Sequence, residues 1–489
     1  MPAPDTLFEL IKSLDKNEKR HFKIYARRHV LREENQYTRL FDIIDRLNEY
    51  DEAKIKAQLG NAKFAKNLPS GKNYLYNLIL RSLRTYHAGK SVKIQLQELW
   101  LDINLLIEKG LLRQAMKRIR KAKKLALQYQ YDLQLLEIIL LERKLIRRYI
   151  SNKADERIEI CQEESATCLE RLQLKLGIID LYEKVFITYR NDKDSRQSLD
   201  EVMEQVKQLV PDAQLKKLSF ESLNSYHVLH LHYANMNRDY QTANEHLRAL
   251  IHLHEQNPFL IAEEQERYIN HLNNYLNNCF ALQRWEEFPP VLAKMKSIKA
   301  KNPKIRGLLF NNASYLEMLY HLVHEEYQEV IRMVPDIERG LKKYAESITK
   351  SRELTLCYNI TIAFFLEKDY LQALDWINRI LGEPKLEERQ DIQTLARIFE
   401  IVLHYELGNH DLVDYLIAAA NRHLRKKQKQ DSAAYLIANK LRQALYADAA
   451  KERAVFQALS EELQHKKGLE EIKIWVARKL EVQGATTRQ

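Results

Sequence analysis

The chain has 489 residues, only 11 of them glycine and 10 proline, and its 78 basic side chains outnumber 67 acidic ones for a net charge of +11. Turn-rich β folds and multi-loop α/β enzymes draw on glycine and proline, so the scarcity of both argues for helices. With 45% hydrophobic residues the chain can bury sizeable cores and is not of the disordered class.

Residues 1–90 read as a small basic helical module. Leu7–Ser13 is a short helix. Asp15 and Glu18 have the spacing of a capping box that opens a second one. Tyr37–Glu49 forms a third, Glu52–Leu59 a fourth and Lys72–His87 a fifth closed by Gly89, with a loop over Gly60–Gly71. The fifth helix has an apolar stripe of Leu75, Leu78, Ile79 and Leu83. Lys72, Asn77, Arg81 and Arg84 lie outside it, as in a helix that meets phosphates and bases. The long connection before it favours a structural cap, because a helix-turn-helix joins through three or four residues.

From residue 91 to about 480 helical periodicity is almost continuous. Polar breaks recur near Gly110, Asn152, Asp192, Arg238, Arg284, Glu326, Asp369 and Asn409, at intervals of about 42 residues. Each interval has room for an antiparallel hairpin of two helices of about 18 residues. Pro211, Pro258, Pro303 and Pro384 fall between hairpins, where a helix must stop; Pro289, Pro290 and Pro335 fall inside and should shorten or kink their helices.

The residues after the breaks carry a second pattern. Gly110 precedes Ala115, Ile119 and Ala122; Tyr240 precedes Ala243, Leu247 and Leu250; Tyr370 precedes Ala373, Ile377 and Ile380. Trp285 and Tyr327 hold the same place in their own units. This resembles the second helix of the tetratricopeptide repeat (TPR), although the period exceeds the roughly 34 residues of that family. The resemblance implies an all-α fold: a right-handed α-solenoid of TPR-like hairpins over residues 91–467, with residues 468–489 as a C-terminal helix and disordered tail. A small helical module followed by a TPR array is also similar to bacterial peptide-sensing regulators.

Charge is concentrated at one end. Residues 1–150 hold 31 basic and 17 acidic side chains, a net +14 that leaves −3 on the other 339 residues. In the helix beginning at Leu111, the side chains of Arg113, Lys117, Arg120, Lys121 and Lys124 fall within a stripe about 100° wide. Leu112, Ala115, Ile119, Ala122 and Ala126 form its apolar face. With Arg81 and Arg84 this makes a candidate surface for nucleic acid or an acidic protein; the plainer reading is a solvated outer face.

Asparagines form another stripe. Asn270, Asn273, Asn274, Asn277 and Asn278 share one helix face, although asparagine is a poor helix former. Asn312 and Asn359 recur at matching places in neighbouring units. Peptide-sensing TPR regulators use groove asparagines on the main chain of an extended peptide, so the resemblance makes Asn270, Asn274, Asn277, Asn312 and Asn359 candidate partner contacts. A hydrogen-bond ladder between helices is the alternative.

Histidines crowd residues 227–271, at His227, His230, His232, His246, His252, His254 and His271. No ligand motif accompanies them, so no metal site is expected. Cys161, Cys168, Cys279 and Cys357 stand apart without a CxxC pair, which fits buried thiols in a reducing cytoplasm. No signal-peptide pattern opens the chain, no stretch is long and apolar enough to span a membrane, and no nucleophile, P-loop or dinucleotide motif is present. The expectation is a cytoplasmic, non-enzymatic scaffold without cofactor. It would bind a peptide or partner helix in the solenoid groove, with a nucleic-acid-associated factor as the alternative. Its oligomeric state is not encoded in any motif.

Overall fold

The structure, a computed structural model, describes residues 5–29, 36–60, 62–89, 91–148, 154–190, 196–211, 215, 218–383, 389–426, 433–466 and 469–486. These residues form helices and no strand, and the chain divides into two compact units, Met1–Glu264 and Gln265–Gln489.

The first unit opens with α1 (Thr6–Ser13), α2 (Lys16–His29), α3 (Gln36–Arg46), α4 (Glu52–Leu59), α5 (Ala62–Lys66) and α6 (Leu68–His87). Asp5 caps α1 by accepting from the Leu7 and Phe8 N–H groups. The capping box at α2 is reciprocal: Asp15 Oδ1 accepts from the Glu18 N–H at 2.8 Å, and the Asp15 N–H donates to Glu18 Oε2 at 2.9 Å. Phe22 and Phe41 pack at 4.6 Å between ring centroids, in a core with Ile44, Ile55, Leu75 and Ile79. Gly60–Gly71 is not a loop. It holds α5 and the first turn of α6, because Pro69 sits in that first turn, where no N–H is needed.

The unit continues through α7 (Val92–Glu108), α8 (Leu112–Gln128), α9 (Asp132–Arg148), α10 (Ala154–Arg190), α11 (Arg196–Leu209), α12 (Phe220–Met236), α13 (Tyr240–Glu255) and α14 (Pro258–Glu263). Each of α7 to α10 packs on the next; α10 also packs on α11 and α12, and α12 on α13. Two helices of about 18 residues were expected between Asn152 and Asp192; the chain instead runs as one 37-residue helix, α10. Nothing in that stretch can stop a helix, since it has no proline and its one glycine, Gly177, stays helical against Leu209. The breaks at Asn152 and Asp192 themselves lie outside the described residues.

The second unit comprises α15 (Gln265–Leu282), α16 (Phe288–Ser297), α17 (Pro303–Val323), α18 (Tyr327–Lys343), α19 (Lys350–Leu366), α20 (Tyr370–Leu381), α21 (Gln390–Glu406), α22 (His410–Lys426), α23 (Ala433–Leu445), α24 (Ala449–Gln464) and α25 (Glu470–Thr486). Consecutive helices pair, and α15, α17, α19, α21 and α23 also touch one another in that order. Those five make a first layer, which the alternate helices back. Gly340 of α18 admits the Phe310 ring of α17, which would collide with any Cβ there.

One junction recurs in both units. Gly110, Gln130, Arg238, Gln283, Glu325, Lys368 and Gly408 all have positive φ. The N–H of the residue that follows each bonds back to a carbonyl five residues earlier, as in Leu111 to Leu106, Asp239 to Ala234 and Asp369 to Phe364. This is the 6→1 bond of a Schellman closure, which satisfies the carbonyls left over at a helix end. Asp239 and Asp369 then cap the next helix through the N–H groups of Thr242 and Gln372, so one residue ends a helix and its neighbour starts another.

Pro258 and Pro303 occupy the first positions of α14 and α17, and Pro211 follows α11; Pro384 lies outside the described residues. Pro289 and Pro290 fall in the first turn of α16, a helix of ten residues preceded by a 3₁₀ turn, whereas α18 continues through Pro335. No helix among the described residues is long and apolar enough to cross a membrane.

Candidate partner-binding faces

The alternation of apolar and basic residues along α8 turns Ala115, Ile119, Ala122 and Ala126 into the core. It leaves Arg113, Lys117, Arg120, Lys121 and Lys124 exposed, with no ion-pair partner among the described residues. Lys123, in the same run, turns inward. Its Nζ lies 2.8 Å from Glu142 Oε2 and 2.5 Å from Glu164 Oε2, and Arg157 adds a 3.2 Å contact to Glu142. Burial disfavours the Lys123 charge, but the two carboxylate hydrogen bonds outweigh it and raise the pKa.

Glu142, Cys161 and Glu164 also bring three ligand atoms within 4.8 Å of one another, but the Lys123 ammonium already holds both carboxylates. Burial pushes the Cys161 thiol up to about 11, so it stays protonated. All four cysteines are buried, and none forms a disulfide among the described residues.

On α6, Arg81 and Arg84 are exposed and Asn77 donates to the Asn73 carbonyl at 2.9 Å. Lys72 is engaged by Asp5 and by the Tyr50 hydroxyl, so it is part of the module's own bonding. Arg81 and Arg84 thus have no ion-pair partner among the described residues, whereas Lys72 does.

The asparagines separate into two sets. Asn270, Asn274 and Asn277 line the exposed face of α15, where Asn277 Nδ2 donates to the Asn273 carbonyl at 2.8 Å. Asn312 on α17 and Asn359 on α19 are buried, at 6% and 7% exposure. Asn312 Oδ1 accepts from Asn311 Nδ2 at 3.3 Å, and Asn359 Nδ2 has no hydrogen-bond partner among the described residues. In this conformation only the α15 set can touch a partner.

What covers α19 is a segment of the same chain. α25 packs on α19 and α24 and buries Ile472, Trp475 and Val476. The Tyr358 hydroxyl donates to Glu471 at 2.6 Å, and Arg478, seven residues further on, donates to the Leu366 carbonyl at 2.6 Å. The two contacts advance together, so α25 runs parallel to α19. At the end of α21, Trp475 Nε1 donates to Glu406 at 3.0 Å and Lys479 pairs with the same carboxylate at 2.7 Å. Nothing local to these residues announces this docking: periodicity marks which face of a helix is apolar, not what it meets.

Three of the seven clustered histidines converge, between α12 and α13. His227 Nδ1 lies 3.0 Å from His246 Nδ1, His230 stacks on His246 at 4.7 Å, and Tyr226 covers His230 at 4.4 Å. Burial, reinforced by the neighbouring rings, pushes His227 down to about 4 and His230 down to about 3. His254 instead bonds the Leu250 carbonyl in its own helix, and His252 bonds Gln256. His232 packs beside Tyr182, and His271 is buried in α15.

Comparison with protein-family models and with curated proteins finds no match to this chain.

Proposed function

We propose that the protein is a TPR-like α-solenoid scaffold without catalytic activity, which receives a partner helix or extended peptide on the first layer of its second unit. The observation that carries this reading is α25: a helix seated along α19 and against the end of α21 through Trp475, Arg478 and Lys479. A layer that takes a helix from its own chain has the spacing to take another. The partner belongs at the α15 end, where Asn270, Asn274 and Asn277 stand exposed with donors and acceptors for a main chain. Asn312 and Asn359 then act from beneath, holding the layer. The test is capture of a partner from native lysate, followed by titration of that partner against Asn274→Ala with Asn277→Ala. A loss of about tenfold or more in affinity at unchanged melting temperature supports the reading. Equal affinity makes the stripe structural.

A second reading rests on α8, whose five exposed cations, without an ion-pair partner among the described residues, form a surface for nucleic acid or an acidic protein. Such binding is driven by counterion release and weakens steeply as salt rises from low to physiological concentration. Binding that ignores salt and nuclease treatment argues against it.

A further inference from the structure

α25 does not fill the groove it enters. Beside it a cavity of about 300 Å³ remains, lined by Phe365, Leu366, Lys368, Tyr370, Glu406, Trp475, Arg478 and Lys479. Its volume is at the small end of the range for organic-ligand sites. Three of its walls are aromatic, contributed by Phe365, Tyr370 and Trp475.

The polar groups are not equally available. Glu406 is already satisfied, accepting from Trp475 Nε1 at 3.0 Å and pairing with Lys479 at 2.7 Å. Arg478 spends one nitrogen, Nη1, on the Leu366 carbonyl and keeps its other donors. Lys368 is exposed at the rim with no ion-pair partner among the described residues. Three cations against one compensated carboxylate give the lining a net charge of +2.

We propose that this cavity is a binding site for a small aromatic anion, a planar ring carrying one carboxylate, sulfonate or phosphate monoester group. The ring would lie among Phe365, Tyr370 and Trp475, and the anionic group would meet Arg478 and Lys368. Flat apolar walls favour a ring, and a guanidinium with spare donors favours a planar or tetrahedral oxyanion. The site is separate from the asparagine stripe of α15 and does not depend on it.

The test uses the full-length chain and the dye 8-anilinonaphthalene-1-sulfonate, with N-phenyl-1-naphthylamine as the same ring system lacking the sulfonate. Calorimetric titration of wild type should show one saturable site for the sulfonate, with the neutral amine about tenfold weaker or more. Lys368→Asn suits the left-handed backbone at that position, so it removes the charge without disturbing the turn. Together with Arg478→Gln it should weaken the sulfonate about tenfold or more, while Arg478→Lys alone stays within about threefold. Benzoate and phenyl phosphate, added as competitors, tell carboxylate from phosphate preference. Absence of a saturable site overturns the proposal. So does an affinity unchanged in Lys368→Asn and in the double variant, or a neutral amine that binds as tightly as the sulfonate.

Discussion

His227 and His246 meet Nδ1 to Nδ1 at 3.0 Å across the α12–α13 hairpin, a contact in which one ring must donate and the other accept. Two imidazoliums cannot make it. Tyr226 and His230 complete the cluster, with Lys207 and Glu245 as the charged groups acting on it from α11 and α13.

The pH dependence follows from the direction of these shifts. Above pH 6.5 the rings are neutral in both the folded and the unfolded chain and contribute nothing. Below it the unfolded chain takes up protons first, while folded His227 resists to about 4 and His230 to about 3. Stability should therefore fall as the pH drops from about 6.5 to about 4, by about 1.4 kcal/mol per pH unit for each resisting histidine. Urea denaturation at stepped pH measures the slope. His230→Phe keeps an aromatic ring beside Tyr226 and should make the slope shallower; an identical slope would assign the acid lability elsewhere.

Lys123→Met should destabilise the first unit by about 3 kcal/mol, because it leaves Glu142, whose side chain is 10% exposed, beside Glu164 with only the Arg157 contact to balance it. In a double-mutant cycle Glu142→Gln should cost less in the Met background than in wild type. Additive costs would mean that the pair contributes no coupling.

Trp475→Ala removes a ring packed 5.4 Å from Phe456 and the hydrogen bond to Glu406, at a cost of about 3–5 kcal/mol. Tyr446→Ala is the control, since that ring is 75% exposed and its loss should cost about 0.5 kcal/mol or less. Thermal or chemical denaturation of the two variants settles the contrast.

Charge reversal of Lys117, Arg120, Lys121 and Lys124 should leave the melting temperature within a few degrees of wild type, since all four point to solvent. Retention on a heparin column, a generic polyanion, should fall sharply. Unchanged retention would place the polyanion surface, if there is one, away from α8.

How much of this could be read from the residues alone depended on whether the signal was local. Junctions were legible because polar residues interrupt the apolar period at Arg238-Asp239 and Lys368-Asp369, although an arginine and a lysine do not announce the left-handed backbone they adopt there. The segment at Gly60–Gly71 misled because Gly71 serves contact rather than turning: a Cβ there would sit 2.9 Å from the Phe64 ring. The distance to each unit's aromatic matched Asn270 with Asn312 and Asn274 with Asn359 but said nothing about what overlies them, so Asn270 and Asn274 are exposed while Asn312 and Asn359 are buried. The spacing of His227 and His230 showed a shared face; His246 reaches them from another helix, which no spacing rule reports. The docking of α25 on α19 is non-local in the same sense, joining residues more than a hundred positions apart.

That separation has a consequence in time. A ribosome adds about 5–20 residues per second, so Phe365 and Tyr405 are made seconds before Trp475, which later packs at 6.3 Å and 6.5 Å from their rings. Until then the α19–α21 face carries apolar rings and the Glu406 carboxylate with nothing from α25 upon them. A chain cut short anywhere before residue 470 keeps that face uncovered. Covering that face is therefore a late event, and it falls to Ile472, Trp475 and Val476, the side chains that α25 buries.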